Sequence, residues 1–151
     1  PAFEDEVQIV RAERTEHPIA TLRPVVELEA VLSAKAAVPL VRLDPILEEW
    51  IVRIVQETRD VARYRDDLFI GASVRGSEDL PQAARAWALL QGRDYVTPRD
   101  IEELLVPVLG HRMFFTNDFR SRMREEGRER TLQDFFAKLI AACPLDSSRL
   151  S

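Results

Sequence analysis

The chain has 151 residues, 46% of them apolar and 31% charged, and a formal net charge of −5. That length can bury a core of its own, and the acidic balance argues against a general binder of nucleic acid or anionic membrane, which favour a basic footprint. The one cysteine, Cys143, excludes an internal disulfide and a Cys-based zinc cluster, and no run of about 18 apolar residues offers a membrane span.

Five glycines and long stretches of Ala, Leu, Glu and Arg favour helix. Residues 2–14 place Phe3, Val7 and Val10 at helical spacing, with Glu4, Asp5 and Glu6 in the first turn, where the helix dipole favours anions. Pro18 and Pro24 bracket a connection. Residues 25–37 read as a second helix with Val25, Leu28, Val31 and Leu32 as its buried stripe, ended by Pro39. Residues 41–43 suit a short strand. Asp44 and Pro45 then form a helix start, Asp as N-cap and Pro at the first helical position. Leu47, Trp50, Ile51, Ile54 and Val55 follow at i, i+3, i+4 spacing, which predicts a helix to about residue 61.

Residues 64–71 read as a loop. From residue 73 or 75 a helix is expected to run to residue 90, with Leu80, Ala84, Trp87 and Leu90 inward and Gly92 as its left-handed terminator. Thr97-Pro98-Arg99-Asp100 is a variant of the capping box. Ile101, Leu104, Leu105 and Val108 make the next stripe, and Pro107 is expected to kink or end that helix. Residues 111–115 suit a second short strand, and the mixed charges of 118–130 a solvated helix or loop. Thr131 is expected to cap a last helix with Leu132, Phe135, Phe136, Leu139 and Ile140 inward.

The absent motifs narrow the chemistry. No G-x-x-x-x-G-K-[ST] occurs, and singly scattered glycines cannot cradle a phosphate chain. His17 and His111 are far apart, so no metal site is expected. No G-x-S-x-G elbow is present. Composition and pattern alone stop at a helical domain.

Three runs carry a resemblance. Ile51 to Arg59 is similar to a helix that closes in a Thr-Arg pair. Gly71-Ala72-Ser73-Val74-Arg75-Gly76 is similar to G-A-S-P-R-[AG]. Ala83-Ala84-Arg85-Ala86, then Gly92-Arg93-Asp94-Tyr95-Val96-Thr97-Pro98-Arg99-Asp100, then Pro107-Val108-Leu109-Gly110-His111-Arg112 follow a third series, A-A-R-A, G-R-x-Y-V-x-P-x-D and P-V-L-x-H-R. Together these resemble the C-terminal lid of MoxR-family AAA+ ATPases. Pro1 to Glu6 and Ala142-Cys143-Pro144 extend the likeness outwards, as if the chain began just past an ATPase core. Pro1 in place of Met fits such a fragment. Val74 departs from the family's usual Pro, and the segment 33–45 is shorter than in most relatives.

The resemblance implies an all-α fold, a small helical bundle of the AAA+ lid type. One short two-stranded ribbon, joining 41–43 to 112–115, is the β element it leaves room for. Residues 1–40 are expected to form a helical strap following the core, 41–145 the lid, and 146–151 a polar tail. It also implies a catalytic role for Arg75 as a "sensor 2" arginine and a cofactor-binding role for Arg75 and Ser73. Arg59, Arg85 and Arg93 are secondary candidates. The bland reading of Arg75 is an ion pair with Glu78 or Asp79, one turn on. Trp50 and Trp87 read as core anchors, and His111-Arg112 as a helix-end cap.

The intact protein would use ATP and magnesium and form a cytoplasmic ring, hexameric by the family's pattern. It would act in chaperone-like maturation or metal insertion, often with a von Willebrand A domain protein. The fragment alone is expected to bind no cofactor and to have no ATPase activity. Two rivals stand beside this reading. One is a stand-alone helical interaction module. The other is a helix-turn-helix DNA binder reading with residues 97–109, against which Glu102 and Glu103 on the exposed face speak.

Overall fold

The computed structural model describes residues 2–13, 18–146 and 148. Pro1, His17 and most of the expected polar tail lie outside the described residues. The fold is mainly α-helical with one small antiparallel ribbon. It divides into two compact units, Pro1–Ala34 and Lys35–Ser151.

The first unit holds α1 (Phe3–Glu13), a 3-10 turn (Pro18–Thr21) and the start of α2 (Leu28–Ala37). In α1 the acidic first turn stands as read, and the Ala2 N–H donates to Asp5 Oδ2 at 3.2 Å. The stripe expected to be buried in the second helix is not. Val25 lies outside α2 and is 95% exposed, while Leu28, Val31 and Leu32 are also exposed. Periodicity marks a face suited to burial, and nothing among the described residues covers this one.

In the second unit α3 (Pro45–Glu57) begins as expected, with Asp44 Oδ1 accepting from the Ile46 N–H at 2.9 Å. Its stripe of Leu47, Trp50, Ile51, Ile54 and Val55 is buried. The helix ends four residues short of the expected 61, because the Thr58 hydroxyl donates to Val55 O at 2.6 Å and the chain turns away. Next come β1 (Leu68–Ile70), α4 (Val74–Leu90), α5 (Pro98–Leu109), β2 (Phe114–Phe115), α6 (Asn117–Glu125) and α7 (Arg128–Ala142).

The ribbon pairs β1 with β2, Leu68 opposite Phe115 and Ile70 opposite Phe114. Residues 41–43 are therefore not its partner. Arg42 instead forms an isolated parallel bridge to Tyr95, with the Arg42 N–H on Asp94 O at 2.8 Å and the Val96 N–H on Arg42 O at 2.9 Å. Pro107 does not end α5, which runs on to Leu109. A proline late in a helix forfeits one hydrogen bond, and buried Leu105 and Leu109 on either side hold the turn in place. Thr131 is not the cap of α7. Gly127 (φ 97°) takes that position, and Thr131 lies one turn in, its hydroxyl on Gly127 O at 2.9 Å. The mixed-charge stretch is helical in α6, capped by Thr116 and anchored by buried Phe119.

The inner face of α4 is Gly76, Leu80, Ala84 and Ala88. Trp87 is only half-buried, its indole N–H on Glu103 Oε2 at 3.2 Å, and Leu90 is 78% exposed. Three of these four are Gly or Ala, and Gly76 lies against Leu109 of α5, so the buried face is set by small residues around Leu80 rather than by Trp87. Phe135 on α7 centres an aromatic cluster, 5.5 Å from Phe115, 5.7 Å from Phe119 and 5.7 Å from Tyr64, each edge-on. Trp50 is a core anchor as read, its indole N–H donating to Cys143 O at 2.7 Å.

Candidate functional site

Two of the three runs of the resemblance meet where α3 ends and α4 begins. Ala72 is buried between them, and both its backbone polar groups are taken by consecutive residues of α3's end. Its N–H donates to Thr58 Oγ1 at 2.9 Å, and its carbonyl accepts from Arg59 Nε at 2.8 Å. Gly71 lies so close that a Cβ there would stand 2.1 Å from Thr58 O. Gly76 is nearly as tight, since a Cβ would meet Leu109 Cδ2 at 2.9 Å. Glycine is thus required at 71 by close approach of two backbones, not by an unusual φ.

Ser73 follows as the N-cap of α4, with φ −75° and ψ 175° and no side-chain capping bond. Ser73, Val74 and Arg75 are all exposed. Among the described residues no carboxylate or carbonyl engages the Arg75 guanidinium. The ion pair with Asp79 does not form, because Asp79 is taken by Arg112, whose Nε also donates to Val108 O at 3.0 Å. Glu78 is exposed and does not pair with Arg75 either. Ser73 and Arg75 are therefore brought together on one outward-facing helix start.

The other candidates have structural partners. Arg85 donates from Nε to Val41 O at 3.2 Å and from Nη2 to Glu48 at 3.1 Å, tying α4 both to the segment before α3 and to α3 itself. Arg93 holds both oxygens of buried Asp100. Burial alone would raise the Asp100 carboxyl, but hydrogen bonds from Arg93 and Thr97 outweigh it and hold the group below the usual carboxylate range. The bond to Asp100 in turn raises Arg93. His111 Nδ1 lies 3.1 Å from Pro107 O at the end of α5, and Arg112 also bonds that end, as the cap reading expected. Burial pushes the Cys143 thiol up, with the Glu57 carboxylate adding to the effect, which keeps it a neutral core group.

Pattern reading missed Asp67, a buried carboxylate held by Arg122 of α6 and by Lys138 of α7 at 3.5 Å. It fastens the start of the ribbon to both helices, and nothing in its local sequence marks it. Among the described residues no group of three or more His, Cys, Asp or Glu is placed to hold a metal ion, and no helix is long and apolar enough to cross a membrane.

A family described as the AAA lid domain matches residues 62–134. The chain is 42% identical over 113 residues to the uncharacterized protein YeaC of Bacillus subtilis (strain 168), a match covering 75% of this chain and 34% of that protein. It is 39% identical over 77 residues to Chaperone MoxR1 of Mycobacterium tuberculosis (strain ATCC 25618 / H37Rv), covering 48% of this chain and 20% of the relative. Against Protein MoxR of Paracoccus denitrificans it is 44% identical over 52 residues, covering 34% and 15%. The chain thus spans 34% or less of the length of each of these relatives. A crystal structure from Cytophaga hutchinsonii ATCC 33406, described as a candidate ATPase, superposes with a TM-score of 0.63 at 26% identity, over 90% of this chain and 42% of that one. Residues 62–134 thus belong to the AAA lid domain family, and the chain is similar to proteins named MoxR.

Proposed function

We propose that this lid serves an ATPase that binds and hydrolyses ATP with magnesium and works as a ring, hexameric by the family's pattern, in the cytoplasm. The ring would act as a chaperone-like machine in maturation of, or metal insertion into, a partner complex, with a von Willebrand A domain protein as companion. The name of the Mycobacterium tuberculosis relative, a chaperone, supports the chaperone part of this reading.

Within that machine Arg75 senses the nucleotide. The observation that carries the reading is an exposed guanidinium, without a partner among the described residues, at the start of the 17-residue α4. A planar fork of N–H donors matches phosphate oxygens, and the first backbone N–H groups of a helix favour the same anion. The Ser73 hydroxyl, which makes no capping bond, stands beside them as a further donor. The residues present therefore fit a phosphate group. They offer no carboxylate cluster for magnesium, whose ligands would come from the ATPase core. When bound, magnesium neutralises phosphate charge, and Arg75 adds a fixed positive charge from the lid side.

The test is Arg75→Ala in the intact ATPase. Nucleotide binding is expected to be largely kept, with turnover down on the order of tenfold or more. Unchanged turnover would remove Arg75 from the mechanism. This region on its own is expected to turn over no ATP, and detectable hydrolysis by it would contradict the division of labour.

A further inference from the structure

We infer that Thr58 and Arg59 are positioning residues that act through Arg75: they hold Ala72 by both its backbone groups and so fix the direction in which α4 starts. The inference rests on the nucleotide role given to Arg75 above. Ala72 lies three residues before Arg75, and its N–H and carbonyl are bound by Thr58 Oγ1 at 2.9 Å and Arg59 Nε at 2.8 Å. The Thr58 hydroxyl is itself aimed, because its own proton goes to Val55 O at 2.6 Å, leaving a lone pair for Ala72. Thr58 is fully buried, so the exchange is shielded from water. Gly71 permits the approach, with Thr58 O where a side chain would otherwise stand.

Elsewhere in this turn the usual restraints are missing. Ser73 makes no side-chain cap, and Val74 at the first helical position lacks the fixed φ of a proline. Two hydrogen bonds from the end of α3 thus stand where a cap and a ring would otherwise help to orient Arg75, beside the packing of Gly76 on Leu109. One is neutral and one is charge-assisted, so their loss should differ in size. The arrangement makes the end of α3 the point through which any movement of α3 reaches the guanidinium.

The test uses two readouts. Backbone amide exchange on this chain reads the clamp directly. Thr58→Val is expected to speed exchange of the Ala72 N–H by about tenfold or more, since its acceptor is gone, while Thr58→Ser keeps protection. Turnover by the intact ATPase reads the consequence. Thr58→Val and Arg59→Ala are each expected to lower kcat on the order of tenfold with nucleotide affinity largely kept, and Thr58→Ser to restore it. In an Arg75→Ala background neither clamp variant should lower kcat further.

Unchanged Ala72 exchange in Thr58→Val overturns the clamp. Additive losses in the Arg75→Ala background overturn the claim that the pair acts through Arg75. If Arg75→Ala alone leaves kcat unchanged, the nucleotide role of Arg75 fails, and the exchange data still decide whether the clamp exists.

Discussion

Arg93 grips both carboxylate oxygens of Asp100, at 2.8 and 2.6 Å, in a pairing where the Asp100 side chain is 4% exposed. The same carboxylate accepts from the Thr97 N–H at 2.7 Å and the Thr97 hydroxyl at 2.8 Å, closing a capping box at the start of α5. Asp100→Asn keeps the shape and loses the charge, which leaves Arg93 without its counter-ion. Because Arg93 itself reaches solvent, we expect a loss of about 1–2 kcal/mol in unfolding free energy by urea titration, chiefly from the weakened Asp100 hydrogen bonds.

The same residue governs part of the acid limb. Its carboxyl is lowered in the folded chain, so its contribution is fully present above the ordinary aspartate value near ~3.9 and is lost as pH falls through the lower, folded value. Stability of the wild-type chain should therefore fall with pH in that acid window more steeply than that of Asp100→Asn. Parallel slopes in a series of urea titrations between neutral pH and the acid limb would contradict the assignment.

Gly71 and Gly92 separate two reasons for glycine. Gly92 has φ +73° with open space around it, whereas Gly71 faces Thr58 O at 2.1 Å from a built Cβ. Gly92→Ala should cost about 1–2 kcal/mol, the strain of a left-handed residue. Gly71→Ala should cost about 3 kcal/mol or more, because two backbones must part. Thermal melts of the two variants check the order, and a milder Gly71 variant would mean the α3–α4 approach is looser than drawn.

Val74→Pro should stabilise the chain by about 0.4–1 kcal/mol. Val74 occupies the first position of α4, where an N–H has no helical acceptor. Ser73, at φ −75° and ψ 175°, already has the extended geometry that a following proline demands. A lowered melting temperature would show that the Val74 N–H or side chain has a partner the fold alone does not reveal.

Trp50→Phe should cost about 1–3 kcal/mol, because the Cys143 carbonyl loses the indole N–H that reaches it at 2.7 Å. The loss should fall mostly on the end of α7, which amide exchange across residues 139–143 can localise. Uniform destabilisation without a local gain in exchange would contradict that.

Legibility of the fold followed the range of the forces. Helix starts with their own local chemistry, Asp44-Pro45 and Thr97-Pro98 with Asp100, could be placed from a few neighbouring residues. So could the stripe of α3, whose spacing is self-contained. The ribbon could not, because Leu68-Phe69-Ile70 is too short to show a period and its partner is a distant pair of phenylalanines. The inner face of α4 was misjudged because Trp87 looks like an anchor in isolation, while the true face follows the small residues that admit α5. At the site, motif likeness brought Ser73 and Arg75 forward. That Arg75 is left without an acidic partner depends on Arg112, from the far end of α5, taking Asp79. A pairing between remote elements leaves no trace in local spacing.

The four-residue run of Gly76, Leu80, Ala84 and Ala88 has a mechanical consequence. It seats α4 on α5 along much of a 17-residue rod, which is about 25 Å long. A tilt of about 10° pivoting at one tip would sweep the other by about 4 Å. Because Gly76 lies hard against Leu109, α4 has little room to tilt at the Arg75 end without carrying α5 with it.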